Sequence, residues 1–337
     1  MEPEAPMPRV TASEARMSPT ARQVVVAVSC TVLIFGVPIL LVANAGDVGY
    51  GLGLFLYAPF ATATAAALFS SLGRTPSMRR AMVTACTVNG LLVLAFLGFA
   101  LEGLICILMT LPLLGVATVV GAATGFVLQS CLGGDGPRVV IGVALVALSP
   151  VVTGAEATMQ SELAMRKVKT SIVVQAPIQR VWECVIEFPE IESPPEWYFT
   201  KGIAYPIRAR IVGRGVGAIR YCEFSTGAFV EPITEWNEPV RLAFDVSQSP
   251  APLEEWNPWA TFIGWDVHPP HLSHTLDSRR GQFDLEDLGG GRTRLTGTTW
   301  YTVDLAPVSY WEMWSDAIIH RIHLRVLEHI GRVAATP

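Results

Sequence analysis

Between residues 23 and 155 the chain carries seven charged side chains: Asp47, Arg74, Arg79, Arg80, Glu102, Asp135 and Arg138. A helix that is apolar all round has no face to offer water, so such a stretch is buried in protein or in lipid. About 20 apolar residues cross a bilayer as a helix, and five segments have that character: 24–45, 50–72, 81–101, 104–132 and 139–155. The last is the shortest and contains Pro150. Pro38, Pro59 and Pro112 lie inside other segments, where neighbouring helices re-satisfy the backbone groups they free. Gly121 and Gly125 form a GxxxG, a spacing that lets two helix backbones approach closely. Ala43-Asn44-Ala45 has the form of a leader cleavage site, but the apolar run before it exceeds the ~7–15 residues of a leader core. An uncleaved anchor is therefore expected.

Lys and Arg in short loops mark the cytoplasmic side of a multi-pass chain. The N-terminal tail holds Arg9, Arg16 and Arg22, the second connection Arg74, Arg79 and Arg80, and the fourth Arg138, whereas the first and third have none. The expectation is a multi-pass cell-membrane protein with a cytoplasmic N-terminus and, after five spans, an extracytoplasmic C-terminal half. Arg166, Lys167 and Lys169 oppose that orientation. Transporters and pumps place ionisable residues within their spans. Here Glu102 is the one acid near a span, and it reads as a solvated carboxylate at a turn. The membrane half thus reads as an anchor or a partner surface rather than a pathway.

All nine tryptophans and all six histidines follow residue 165, and the hydrophobic period changes there. Residues 168–175 read as a strand, Ala176-Pro177 turns the chain, and Val181, Trp182, Val185 and Ile186 mark an amphipathic helix. Strand candidates follow at 207–213, 217–224, 227–236, 241–247, 276–288 and 293–305. Gly213-Arg214-Gly215-Val216-Gly217 and the glycines of 288–292 read as hairpin turns. No helix follows the first of these, so it is not a dinucleotide fingerprint. A closing helix over 307–333 gathers Val308, Trp311, Trp314, Ile318, Ile319, Ile322, Val326, Ile330 and Val333 on one face. This order is an α+β plan, a curved antiparallel sheet around one long C-terminal helix with a cavity between them. It follows an α-helical transmembrane bundle. The expected division is a cytoplasmic tail at 1–22, a transmembrane region at 23–155, a juxtamembrane linker at 156–167 and a ligand-binding domain at 168–334.

A net charge of −5 gives no basic footprint for nucleic acid. Cys30, Cys86, Cys106, Cys131, Cys184 and Cys222 have no metal-ligand spacing, and Cys184 and Cys222 bridge only if the fold brings them together. His268, His271 and His274 are close in sequence but lie in a proline-broken stretch, which makes them weak metal candidates. His320 and His323 read as surface or hydrogen-bonded side chains. No cofactor is implied. Arg325, at the edge of the apolar stripe, and His329, within it, require a partner or a ligand. Glu223 and Glu231, on strands, are candidate partners and candidate acid/base groups. Trp311, Trp314, Ile318, Ile322, Trp197 and Trp300 complete the candidate ligand-binding set. The insert 249–272 places Trp256, Trp259 and Trp265 among five prolines. A loop of that length reads as a lid, a membrane-interface patch, a satellite core or a disordered segment.

The stretch IVVQAPIQRVWECVIEFPEI (172–191) resembles the opening of the START-like, or SRPBCC, superfamily. GGGRTRLTGTTWY (289–301) and IIHRIHLRVLEHI (318–330) resemble the last hairpin and closing helix of its polyketide cyclase/dehydrase branch. The resemblance covers about residues 166–334. It implies a helix-grip fold with a cavity for a hydrophobic small molecule or lipid, and no shared catalytic motif. Three functions follow as expectations: a membrane-anchored domain that binds such a molecule; a cyclase, dehydratase or hydrolase using Glu223 or Glu231 with Arg325 polarising an oxygen; and a regulatory partner of another membrane protein.

Overall fold

The computed structural model describes residues 50–98, 102–158, 163–254 and 275–336. Within them four helical runs are long and apolar enough to cross a membrane. They are α1 (Gly53–Ser70), α2 (Met78–Gly98), α3 (Leu104–Cys131) and Asp135–Glu156. The last is α4 (Asp135–Ala147) followed by α5 (Ser149–Thr158). The expected span 24–45 lies outside the described residues. The run expected at 139–155 gains a turn at its start, because Asp135 sits at the first position of α4. Its carboxylate accepts from the Gly73 amide at 2.8 Å and suits the positive end of the helix. Pro150 is accommodated at the second position of α5, where no intrahelical N–H is needed.

α1 is the central helix, with 67% of its apolar stretch buried by protein against 28%, 22% and 22% for the other three. Its sequence explains this, since Ala61, Ala63, Ala65, Ala66 and Ala67 present side chains small enough for neighbours on every side. The GxxxG of α3 lies against it. A Cβ at Gly121 would stand 2.5 Å from the Phe60 carbonyl oxygen, and one at Gly125 would stand 2.5 Å from Ala67 Cβ. The Asn89 amide of α2 ties the three helices together. It donates to the Pro59 carbonyl (3.0 Å) and to Thr118 Oγ1 (2.7 Å), and accepts from Thr62 Oγ1 (2.7 Å). Outward-facing positions are Val83, Leu94, Val116, Val140 and Val151.

Arg138, counted among the charges of the fourth connection, is buried. Its guanidinium donates to the carbonyls of Gln129 (2.9 Å), Leu132 (3.3 Å) and Ser71 (3.3 Å) and pairs with Asp135 (3.2 Å). It therefore closes the C-terminal ends of α1 and α3, where carbonyls lack intrahelical partners.

The second half runs β1 (Arg166–Val174), α6 (Ile178–Ile186), β2 (Pro206–Val212), β3 (Ile219–Phe224), β4 (Gly227–Asn237), β5 (Arg241–Asp245), β6 (Leu276–Gly289), β7 (Arg292–Val303) and α7 (Val308–Ala335). The strands form one antiparallel sheet in the order β1-β7-β6-β5-β4-β3-β2. All seven expected strands and both helices are present. Both glycine turns join the neighbours expected, β2 to β3 and β6 to β7. The long pairing of β1 with β7, from Arg166↔Tyr301 to Val174↔Thr293, brings the two ends of the domain together. The sheet curls around α7. One apolar core joins Val181, Trp182 and Val185 of α6, Leu327 and Ile330 of α7, and Leu242, Leu285 and Leu295 of the sheet. Cys184 and Cys222 are buried and unbridged.

Candidate functional site: a cavity between the helices and the sheet domain

The domain is seated on one end of the helical bundle. Phe55 of α1 meets Trp311 of α7 with ring centroids 4.9 Å apart, in a cluster with Val168, Tyr301, Val303 and Ile319. Ile105 of α3 is buried with Phe199 and Ile203. The Ala306 amide donates to the Tyr50 carbonyl at 3.0 Å, and the Tyr310 hydroxyl donates to the Met109 carbonyl.

Beside this seam lies a cavity of about 210 Å³. Leu54, Ala58, Leu92, Phe96, Leu111 and Leu114 line it from the helices, and Ile203, Leu253, Leu276, Leu305, Trp311 and Ile318 line it from the domain. Among the described residues its lining holds one carboxylate, Glu102, and no Lys, Arg or His. Glu102 was expected to be solvated, yet it faces the cavity with Tyr50, whose hydroxyl donates to it at 2.8 Å. The available sequence signal was its place at the Glu102-Gly103 break between two apolar runs. The Trp311 indole N–H is buried and meets no acceptor among the described residues.

Of the expected ligand-binding residues, Trp311 and Ile318 line this cavity. Trp314 packs at the Trp311 seam, and Ile322 packs beside Phe199. Trp197 is 70% exposed. Trp300 is half-buried beneath Lys167 (5.4 Å) and Arg280 (5.1 Å). Arg325 and His329 are buried, as the helix face implied, but they serve the chain itself. Arg325 donates to the carbonyls of Ser193 (2.8 Å), Pro194 (3.3 Å) and Pro206 (3.5 Å), and its nearest carboxylate is Glu196 at 3.8 Å. His329 Nε2 donates to the Pro189 carbonyl at 3.1 Å. Together they hold carbonyls of the proline-broken segment between α6 and β2, which is also tied to β2 through the Phe188 and Ile191 amides.

Neither candidate carboxylate partners Arg325. Glu223 is held by Arg208 (2.6 Å) and Arg210 (3.1 Å), whose hydrogen bonds lower its pKa below the usual carboxylate value. Glu231 is buried in an ion pair with Arg220, which also donates to the Ile186 carbonyl at 3.1 Å. The rings of Phe188, Phe244 and Phe283 stand 5.6 to 5.8 Å from that guanidinium. Beside them, burial pushes the Cys222 thiol up to about 12, which removes it as a nucleophile near neutral pH. His320 and His323 share the Thr170 hydroxyl, at 2.8 and 3.1 Å, and His323 Nε2 meets Thr299 Oγ1 at 2.8 Å. Both are hydrogen-bonded, and His320 is also on the surface, in keeping with the readings given to them. His268, His271, His274, Trp256, Trp259 and Trp265 lie outside the described residues.

No protein-family model matches the chain, and no curated protein sequence matches it. Among solved structures the chain is similar to the Zhui aromatase/cyclase from Streptomyces sp. R1128, with 16% identity over 51% of this chain and 94% of that one and a TM-score of 0.32. It is also similar to a truncated norcoclaurine synthase from Thalictrum flavum, at 10% identity over 53% and 98% with a TM-score of 0.32. A protein from Nitrosospira multiformis gives 19% identity over 51% and 97%, with a TM-score of 0.31. The matched half is the sheet domain in length. At these scores the fold rests on its own strand order and register.

Two outcomes follow from the buried groups. Removing one partner of a buried ion pair leaves the other charge uncompensated, at a cost of about 3–5 kcal/mol, whereas a surface pair contributes about 0–1 kcal/mol. Glu231→Gln is therefore expected to destabilise the domain far more than Glu223→Gln, as read by denaturant unfolding. Burial, with His320 adding to it, lowers the His323 pKa to about 4 from an ordinary value of 6.5. The unfolded chain thus takes up that proton first, and stability rises with pH between about 4 and 6.5. The thermal midpoint is expected to fall as pH drops through that window, and His323→Gln is expected to flatten the fall.

Proposed function

We propose that this protein is a membrane-anchored, START-like domain that binds a hydrophobic small molecule or single-chain lipid in the cavity beside the Phe55–Trp311 contact. The observation that carries this reading is the lining of that cavity, almost wholly apolar and contributed by both halves of the chain. A concave apolar pocket with a few polar groups is the usual form of a small-molecule site. The cavity differs in place from the one expected between sheet and C-terminal helix. It sits at the first turns of α7, and the helices complete it. Among the described residues the lining holds one carboxylate and no imidazole, lysine or arginine, which favours holding a ligand over acid/base chemistry. The expected test is native mass spectrometry of the full-length protein in detergent: a bound apolar mass in the wild type, lost when Leu92→Trp fills the cavity. An empty wild-type protein, with no uptake of added apolar compounds, overturns the reading.

The reading includes insertion of the four helices in a cell membrane with the sheet domain on the extracytoplasmic side, and a domain division at 156–167. The distribution of arginine supports this sidedness. Arg74, Arg79, Arg80 and Arg138 lie around the α1–α2 and α3–α4 turns, at the end of the bundle away from the domain. Arg166, which opposes the orientation in a simple count, is paired with Glu312 (3.2 Å) and Asp316 (3.0 Å). On intact cells a membrane-impermeant maleimide is expected to label Lys201→Cys and not Arg79→Cys; the reverse pattern inverts the topology.

A further inference from the structure

Where the strands of the sheet domain come down beside the helices, their outer face is basic and aromatic. We propose that this end of β1, β7 and β6 docks on anionic phospholipid head groups at the membrane surface, an inference that rests on insertion of the helices and holds for either leaflet.

Strand register sets the surface. Lys167 stands opposite Trp300 and Trp300 opposite Arg280, so the three form one row across β1, β7 and β6, and residues directly opposite one another share a face. The Lys167 ammonium and the Arg280 guanidinium stand 5.4 and 5.1 Å from the centre of the Trp300 ring, close enough for the ring to attract both. Lys169 lies two positions along β1, on the same face. All three cations are exposed, and none is ion-paired among the described residues. Nearby acids are taken by other partners: Asp277 by Arg279 at 3.2 Å, and Glu312 and Asp316 by Arg166 at 3.2 and 3.0 Å. Asp245 stands opposite Arg280 in register without pairing with it. The row and Lys169 therefore keep an excess of positive charge with that carboxylate included.

Its place in the molecule gives the occupant. Val168 and Tyr301 are the chain neighbours of Lys167 and Trp300, on the opposite face of the sheet, and both belong to the cluster that buries Phe55 at the start of α1. The row thus stands beside the end of the bundle. β1 starts at Arg166 after α5 ends at Thr158, and Leu163 and Met165 in this connection are exposed. Exposed apolar side chains, then a tryptophan flanked by Lys and Arg, match the sequence of groups across a membrane boundary. Long basic side chains lay their stems on apolar surface and carry the charge to the phosphates. A soluble anion would account for the charges but not for Leu163 and Met165.

Lys167, Lys169 and Lys201 are the lysines of the chain, so reductive methylation with formaldehyde, a neutral reagent, reads the surface residue by residue by mass spectrometry. Lys201 is the reference. It is exposed and also near the bundle, since Phe199 and Ile203 beside it are buried with Ile105, but it lies outside the row. The full-length protein is placed in nanodiscs of phosphatidylcholine alone or of an equimolar mixture with phosphatidylglycerol. Phosphatidylglycerol is expected to slow Lys167 and Lys169 at least about threefold relative to Lys201. Molar salt, which cuts the screening length to about 3 Å, is expected to abolish that difference. Arg280→Gln, an exposed change, is expected to bring the protection of Lys167 below about twofold. Unslowed Lys167 and Lys169, or equal slowing of Lys201, overturns the docking surface. Equal protection in phosphatidylcholine alone overturns the choice of anionic lipid, and protection by free glycerol phosphate added to those nanodiscs overturns the membrane as occupant. Full protection in Arg280→Gln removes the row as its basis. A protein that does not assemble into nanodiscs at all overturns insertion itself, and this inference with it.

Discussion

Trp311 belongs to both halves of the molecule. It sits in the first turn of the helix that the sheet curls around, and its ring is buried against Phe55 at the start of the central apolar helix. Burying an aromatic side chain of this kind stabilises by about 1.5–3 kcal/mol, and the contact also fixes where the domain stands on the bundle. Tyr50, Tyr310 and Ile105 extend it on either side, with backbone carbonyls of the helices as acceptors. The cavity lies beside that seam, with Leu92 and Phe96 of α2 and Leu111 and Leu114 of α3 on its wall.

The bundle reaches this arrangement through small residues rather than large ones. In a lipid-facing structure the drive to associate comes from close packing and interhelical hydrogen bonds, since lipid tails are as apolar as leucine. Gly121 and Gly125 bring the α3 backbone against the alanines of α1, and Asn89 then reaches Pro59 and Thr118 with its amide fully used. Arg138 extends the same logic to the far end, where one guanidinium satisfies carbonyls of two helices. A charge that sequence counting treats as a loop marker is thus also a structural cap.

Buried charges in the sheet domain follow a similar rule. Glu231 is engaged by Arg220, and Arg325 by the carbonyls of 193, 194 and 206, which supply the partners these two candidates needed. A polar residue on an apolar face announces that it needs a partner, but not whether the partner is a ligand or the chain. Here the chain supplies it.

The sequence by itself determined the apolar helices, the seven strands and their turns, and the closing helix, because each is written in local periodicity and in Gly or Pro punctuation. It also placed Trp311 and Ile318 on the apolar stripe of that helix, and both stand on the cavity wall. Only the tertiary structure decided that the cavity lies at the junction of the two halves. The cavity's walls come from segments more than 200 residues apart, from Leu54 to Ile318, and no local pattern records which distant faces meet. For the same reason Glu102 read as solvated. The break at Glu102-Gly103 was visible, but which residues stand beside Glu102 is set by how the sheet domain docks.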